Sequence, residues 1–239
     1  MPSTAIQRQL EGLSSKTLNY DPAELDLANP PAGWRVDDRF ASLPGERTGM
    51  PESGGSWEIA RRLIRGYEFA DPSIVRAYYD ETAPLQGRNM LLELRALGLV
   101  SVRVGVRVNA VYDEVRDVRG GQARVSGWNY RTLEGHVEMG EMAWEVCKWL
   151  HSGEVQFHVH AVSRPAPISN SLIRVGFLLL RGHERRLFLD STERRMAEFT
   201  ALGLHGDSAR LRQRSGDLTA RRLPGDDPVH DRLANNALG

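Results

Sequence analysis

Between residues 100 and 163, apolar and polar side chains alternate with a period of two, the spacing of strands that bury one face. The clearest run sets Val100, Val102, Val104, Val106 and Val108 against Ser101, Arg103, Gly105, Arg107 and Asn109. The apolar phase changes at Asn109–Ala110 and resumes through Val111 and Val115, which predicts a bulge or a tight turn. Gly120-Gly121 marks the next turn, before a strand over 123–133. A hairpin follows over 139–150 and 154–163, folded around HSGE. Met142, Trp144 and Val146 alternate in its first arm, and Val155, Phe157, Val159 and Ala161 in its second. Weaker strand signals lie at Trp34–Phe40 and 90–97. So much alternation predicts a mostly antiparallel sheet with one face buried.

Elsewhere the period is that of a helix. Residues 1–16 predict a short peripheral helix, with Ser3 as N-cap and Ile6, Leu10 and Leu13 on one side. Two more short helices are predicted after a flexible loop at 44–55. Ser56 caps the first, whose apolar stripe is Ile59, Ala60, Leu63 and Ile64. Asp71 and Pro72 start the second, ahead of Ile74, Val75, Tyr78 and Tyr79. Past Pro165 and Pro167 a long helix is predicted over 169–200, carrying Leu172, Ile173, Phe177, Leu180, Leu187, Phe188, Met196 and Phe199. Residues 201–239 read as a loosely ordered polar tail. The order is that of a curved antiparallel sheet around a long C-terminal helix, which leaves a cavity between the two.

Composition narrows the function classes. The chain has 239 residues with 31 basic and 31 acidic side chains, so it lacks the positive field that nucleic acid or an anionic membrane requires. Every basic residue except Lys16 and Lys148 is arginine, a bias that codon usage explains. A lone Cys147 excludes an internal disulfide and any multi-cysteine metal site. The apolar runs are too short to span a bilayer, and MPSTAIQRQLEGL lacks the pattern of a signal peptide; a soluble, cytoplasmic protein is expected. No nucleophile elbow, phosphate-cradling glycine loop or dinucleotide fingerprint is present, and no cofactor is expected.

The chemistry-bearing residues are few. The loop Leu133–Gly140 holds His136 between Glu134 and Glu138, where carboxylates can keep an imidazole charged or orient it as a base. Glu141 begins the following strand, and Arg164 ends the strand paired with it. Two readings fit: a polar catalytic cluster of His136, Glu141 and Arg164, or a Glu141–Arg164 ion pair at a strand junction with His136 capping the loop. His158 and His160 share one strand face and can bind zinc if a third ligand such as His136 or Glu138 approaches, or are simply a solvated pair; no metal is assigned. Tyr78, Tyr112, Trp128, Tyr130 and Trp144, with Phe177 of the long helix, are candidates to line the cavity or to fill the core. Arginines 181, 185, 186, 194 and 195, interleaved with acids, read as a salt-bridged solvated helix face.

The stretch Gly127–Val146, GWNYRTLEGHVEMGEMAWEV, with AVSRPAP at 161–167, resembles the domain of unknown function nineteen-ninety family, which is similar to the START-like (SRPBCC, birch-pollen-allergen-like) proteins. The family pattern falls on Gly127, Tyr130, Thr132, Leu133, Gly135, His136, Glu138, Gly140 and Glu141, and on Ser163, Arg164, Pro165 and Ala166. Weaker likeness includes LNY at 18–20, PAGW at 31–34 and the helix near 57–66, and the whole covers residues 17–199. Val137 replaces a proline and Met142 a second acid, Trp128 stands at a variable position, and the loop at 44–55 is longer than the pattern. The resemblance implies an α+β helix-grip domain over 17–200, with about seven antiparallel strands around the long helix and two short helices between the first and second strands. It implies a protein that holds a small apolar or amphipathic molecule. Two alternatives are a cyclase- or hydrolase-type enzyme, with His136 as acid/base and Arg164 or Tyr130 stabilising negative charge, and an interaction module with a filled interior.

Overall fold

The valine run and the segment beyond it form one strand. A computed structural model describes residues 4–96, 100–118, 121–167, 171–205 and 220–223, leaving aside the side chains of 96, 100, 171–181 and 220–223. In it β4 runs unbroken over Val100–Val118. Its register against β5 (Gly121–Thr132) slips between Val108 and Ala110, so the phase change at Asn109 is a β-bulge within a strand. The Asn129 side-chain oxygen accepts the Ala110 N–H at 2.7 Å and gives that displaced donor a partner.

The other strands are β1 (Arg35–Leu43), β2 (Val75–Asp80), β3 (Asn89–Ala96), β6 (Glu138–Trp149) and β7 (Val155–Pro165). They pair antiparallel in the order β1-β7-β6-β5-β4-β3-β2. A short β8 (Ala220–Leu223) then adds parallel to β2, from within the stretch read as a loose tail. The remainder of that stretch beyond residue 205 lies outside the described residues.

Helix α2 (Ser56–Arg65) buries Ile59, Ala60, Leu63 and Ile64, the predicted stripe, although Gly55 and not Ser56 occupies the capping position. The long helix α3 (Ser171–Leu204) is 34 residues, about 51 Å at 1.5 Å per residue. It packs beside α2 and against β1. Both helices share one core with the inner face of the sheet, which includes Leu63, Trp128, Trp144, Phe157, Met196 and Phe199. An antiparallel sheet with a long C-terminal helix on one face is the helix-grip arrangement, and the predicted fold class is borne out. The first helix, α1 (Thr4–Glu11), packs on the opposite face, where Ile6 and the following Leu13 meet Tyr78, Leu91 and Leu133. Gly105 permits this docking, since a Cβ there would come within 2.5 Å of the Leu13 side chain. The expected cap Ser3 lies outside the described residues.

One expected helix is absent. Asp71–Ile74 forms a turn in which the Asp71 carboxylate accepts the Ser73 N–H at 2.9 Å, and the chain then enters β2. A single helix therefore separates β1 from β2. The loop at 44–55 is tied down: Gly49 N–H donates to Leu150 O at 2.7 Å, and Glu46 N–H to Gly153 O at 2.9 Å. Among the described residues, no helix is long and apolar enough to cross a membrane.

Candidate functional site

The inner face of the sheet carries a block of aromatic rings. Trp128 and Trp144 are cross-strand partners on β5 and β6, and Tyr130 stands opposite Met142 one position along the same face. Tyr67, in the turn after α2, enters between them with its ring 6.1 Å from Trp128 and 5.8 Å from Trp144. It does so from a left-handed backbone conformation (φ 57°), unusual for a residue with a bulky side chain. Phe69 lies 4.6 Å from Trp144, and Phe188 reaches it from α3 at 6.1 Å.

Two of these rings bring polar atoms that the protein leaves unsatisfied. Trp128 Nε1 donates to Ile64 O at 2.9 Å, and the Tyr130 hydroxyl donates to Met142 Sδ at 3.2 Å. Trp144 Nε1 and the Tyr67 hydroxyl are buried with no hydrogen-bond partner among the described residues. The Tyr67 hydroxyl stands near enough to that of Tyr130 for each to perturb the other's ionisation. Burial raises both phenols above their usual range, so both stay protonated.

A charged network borders the rings. Arg185 of α3, only 10% exposed, donates from Nε to Asp37 at 2.6 Å and from Nη1 to Glu138 at 2.8 Å. Ser163 donates to the same Glu138 oxygen at 3.3 Å. Arg185 and Glu138 both act on the ionisation of Tyr130, so the network and the rings adjoin. Arg185 Nη2 is a third buried donor with no acceptor among the described residues. Arg195 is buried too, donating to Phe69 O at 3.0 Å. Of the five arginines expected on a solvated helix face, Arg185 and Arg195 are thus interior, and the side chain of Arg181 lies outside the described residues.

The predicted cluster of His136, Glu141 and Arg164 is not brought together. Glu141 takes Arg131 as its partner at 2.6 Å and accepts a short hydrogen bond from Asn129. Arg164 instead lies over the Trp34 ring at 4.7 Å, with Tyr20 edge-on to that ring at 5.9 Å. His136 is half-buried, and its Nδ1 accepts the Glu138 N–H at 2.9 Å. Burial outweighs the Glu138 carboxylate and pushes its pKa down to about 4, so the imidazole is neutral at neutral pH. The motif's other residues tie the N-terminal segment to the sheet. Asn19 donates to Glu138 O at 2.9 Å and accepts from the Thr132 hydroxyl at 2.6 Å. Gly140 permits close strand pairing there, because a Cβ would collide with the Val162 carbonyl.

Of the ring candidates, Trp128, Tyr130 and Trp144 share the inner face. Tyr78 and Tyr112 do not: Tyr78 packs under α1, and the Tyr112 hydroxyl donates to Glu145 at 2.6 Å on the outer face. Phe177 lies on α3, and its side chain is outside the described residues. Sequence reasoning gives Tyr67, Phe69 and Asp37 no role, and it reads Arg185 as part of a solvated helix face; no local pattern marks any of the four. On the outer face, His158 and His160 come beside Asp38 and are the described group able to hold a metal ion.

A family model described as Domain of unknown function (DUF1990) matches residues 19–194. No curated protein matches in sequence. Similar solved structures include Ara h 8.0201, with TM-score 0.36 and 8% identity over 69% of this chain and 98% of that one. The di-domain ARO/CYC StfQ from the steffimycin biosynthetic pathway gives a TM-score of 0.43 and 11% identity over 70% of this chain and 51% of that one. Human STARD10 gives 0.32 and 9% identity over 93% and 92%.

Proposed function

The chain belongs to the DUF1990 family, and we propose that it binds a small amphipathic molecule between the inner face of its sheet and α3. The apolar body of the molecule lies against Trp128, Tyr130 and Trp144. Its acceptor oxygens meet Trp144 Nε1, the Tyr67 hydroxyl and Arg185 Nη2. Tyr78 and Tyr112 take no part, because they stand on the other face.

The observation that carries this reading is that Trp144 Nε1, the Tyr67 hydroxyl and Arg185 Nη2, on three elements bordering the inner-face rings, are buried donors with no acceptor among the described residues. A buried unsatisfied donor costs on the order of 1–3 kcal/mol, and native proteins seldom leave several together. A ligand carbonyl or hydroxyl removes that cost, while tryptophan and tyrosine rings supply the apolar contact. His136 has no part in this reading, since its Nδ1 is engaged by its own loop.

Native mass spectrometry of protein purified from its own host tests the reading. A small, oxygen-bearing molecule should travel with the folded chain and leave on denaturation. The double variant Tyr67→Phe, Trp144→Phe should carry it at roughly tenfold lower affinity, the equivalent of about 1.4 kcal/mol. Equal retention by the variant, or no retained molecule in the wild type, would overturn it.

A further inference from the structure

The outer face of the sheet holds a second constellation, independent of the inner-face reading. His158 and His160 are two apart on β7, and Asp38 of the neighbouring edge strand β1 is the backbone partner of His160. One ligand atom from each of the three lies within 4.8 Å of the others. His158 Nε2 is 2.5 Å from the Asp38 carboxylate, and His160 Nδ1 is 3.5 Å from the same oxygen. Asp38 is exposed and both imidazoles are partly so, which leaves an open path from solvent.

We propose that Asp38, His158 and His160 form a binding site for a divalent transition cation of the zinc type, with Glu145 positioning His158. Tetrahedral coordination with bonds of about 2.0–2.1 Å sets donor atoms roughly 3.3 Å apart. The His160–Asp38 separation of 3.5 Å already meets this, and the 2.5 Å approach of His158 to Asp38 has only to open slightly. Two imidazoles with one carboxylate select zinc, nickel or copper over magnesium or calcium, which take oxygen ligands.

The surroundings of His158 are those of a metal ligand. Its Nδ1 donates to Glu145 at 2.9 Å, which fixes the tautomer and leaves Nε2 to face the cation. Glu145 is itself held by the Tyr112 hydroxyl and by Arg116, each at 2.6 Å. Phe40 stacks on the His158 ring with centroids 4.2 Å apart and planes 1° from parallel. The ring is therefore fixed in position and in plane before any cation arrives. On binding, the cation takes the place of the proton between Nε2 and Asp38, which leaves to solvent. Solvent completes the fourth position, on the exposed side of Asp38.

Zinc chloride titrated into the full chain, free of any affinity tag, tests the site by isothermal titration calorimetry. One equivalent of zinc should bind the wild type, and binding should be lost in His160→Asn. Glu145→Gln should keep the stoichiometry with affinity reduced about 10- to 100-fold, as removal of a positioning carboxylate does. Circular dichroism confirms that each variant is folded. Failure of the wild type to bind at millimolar zinc, or unchanged affinity in folded His160→Asn, would overturn the site; unchanged affinity in Glu145→Gln would overturn the positioning role.

Discussion

Lys148, one of two lysines in the chain, is fully buried and pairs with Glu46 at 2.6 Å. The ammonium also donates to Met50 O at 3.0 Å, while Glu46 accepts the N–H groups of Glu52 and Trp57 at 2.9 and 2.7 Å. One carboxylate thus serves the buried cation, the loop at 44–55 and the first turn of α2. Lysine, with three donors on a compact head, suits this enclosed point better than the planar fork of arginine.

Replacing Lys148 with methionine leaves Glu46 buried without a cation. Loss of one partner of a buried pair is expected to cost about 3–5 kcal/mol, read as a lower midpoint in urea unfolding. The double variant Lys148→Met, Glu46→Gln should recover part of that loss. A single variant as stable as the wild type would show that the pair contributes nothing.

Arg131 and Arg164 should separate cleanly. Arg131→Met deprives buried Glu141 of its cation and should cost about 2 kcal/mol, in the range for a hydrogen bond to a charged group. Arg164→Met removes only the stacking over Trp34, worth about 1 kcal/mol. Thermal unfolding of the two variants side by side measures the order, and the reverse order would contradict the observed pairing.

Two histidines give stability opposite slopes with pH. Burial pushes His136 down from 6.5 to about 4, so the unfolded chain binds its proton more readily. Stability should therefore rise between pH 4 and 6.5 and be lost as the pH falls through that window. For His158, burial alone would lower the pKa, but hydrogen bonds to Glu145 and Asp38 outweigh it and raise the pKa above 6.5. Its contribution is fully present below 6.5 and is lost as the pH climbs through the folded value. Urea unfolding from pH 4 to 8 should show a His136→Gln variant with a flatter acid limb and an unchanged neutral one.

The sheet was legible where one face is buried and the other wet. The valines of β4 and the slip at Asn109 state strand, face and bulge directly, because a period of two admits no other assignment. The sequence was silent where both faces are covered. Val75, Ala77 and Tyr79 pack inward while Tyr78 packs beneath α1, so Val75, Tyr78 and Tyr79, with Ile74 just before them, read as a helix stripe. Asp71 before Pro72 looks like a helix cap, yet its carboxylate serves equally to close the turn at Ser73. The site was harder still. Arg185 takes its partners from β1 and β6, 148 and 47 residues away, and no local pattern encodes such a meeting. Arg164 was assigned to Glu141 by strand adjacency, but the two sit at staggered register positions, opposite Met139 and Val162 respectively.

The pairing of β1 with β7 also orders events during synthesis. Asp38 and His158 stand 120 residues apart, and among the described residues β1 has no other strand beside it. The emerging β1 has no template until nearly the whole sheet has left the ribosome, and closing so long a loop slows folding. Val36 remains exposed even in the finished fold, so an orphan edge strand awaits its neighbour throughout translation. Whatever guards that edge in the nascent chain sets how much of the protein is lost to aggregation.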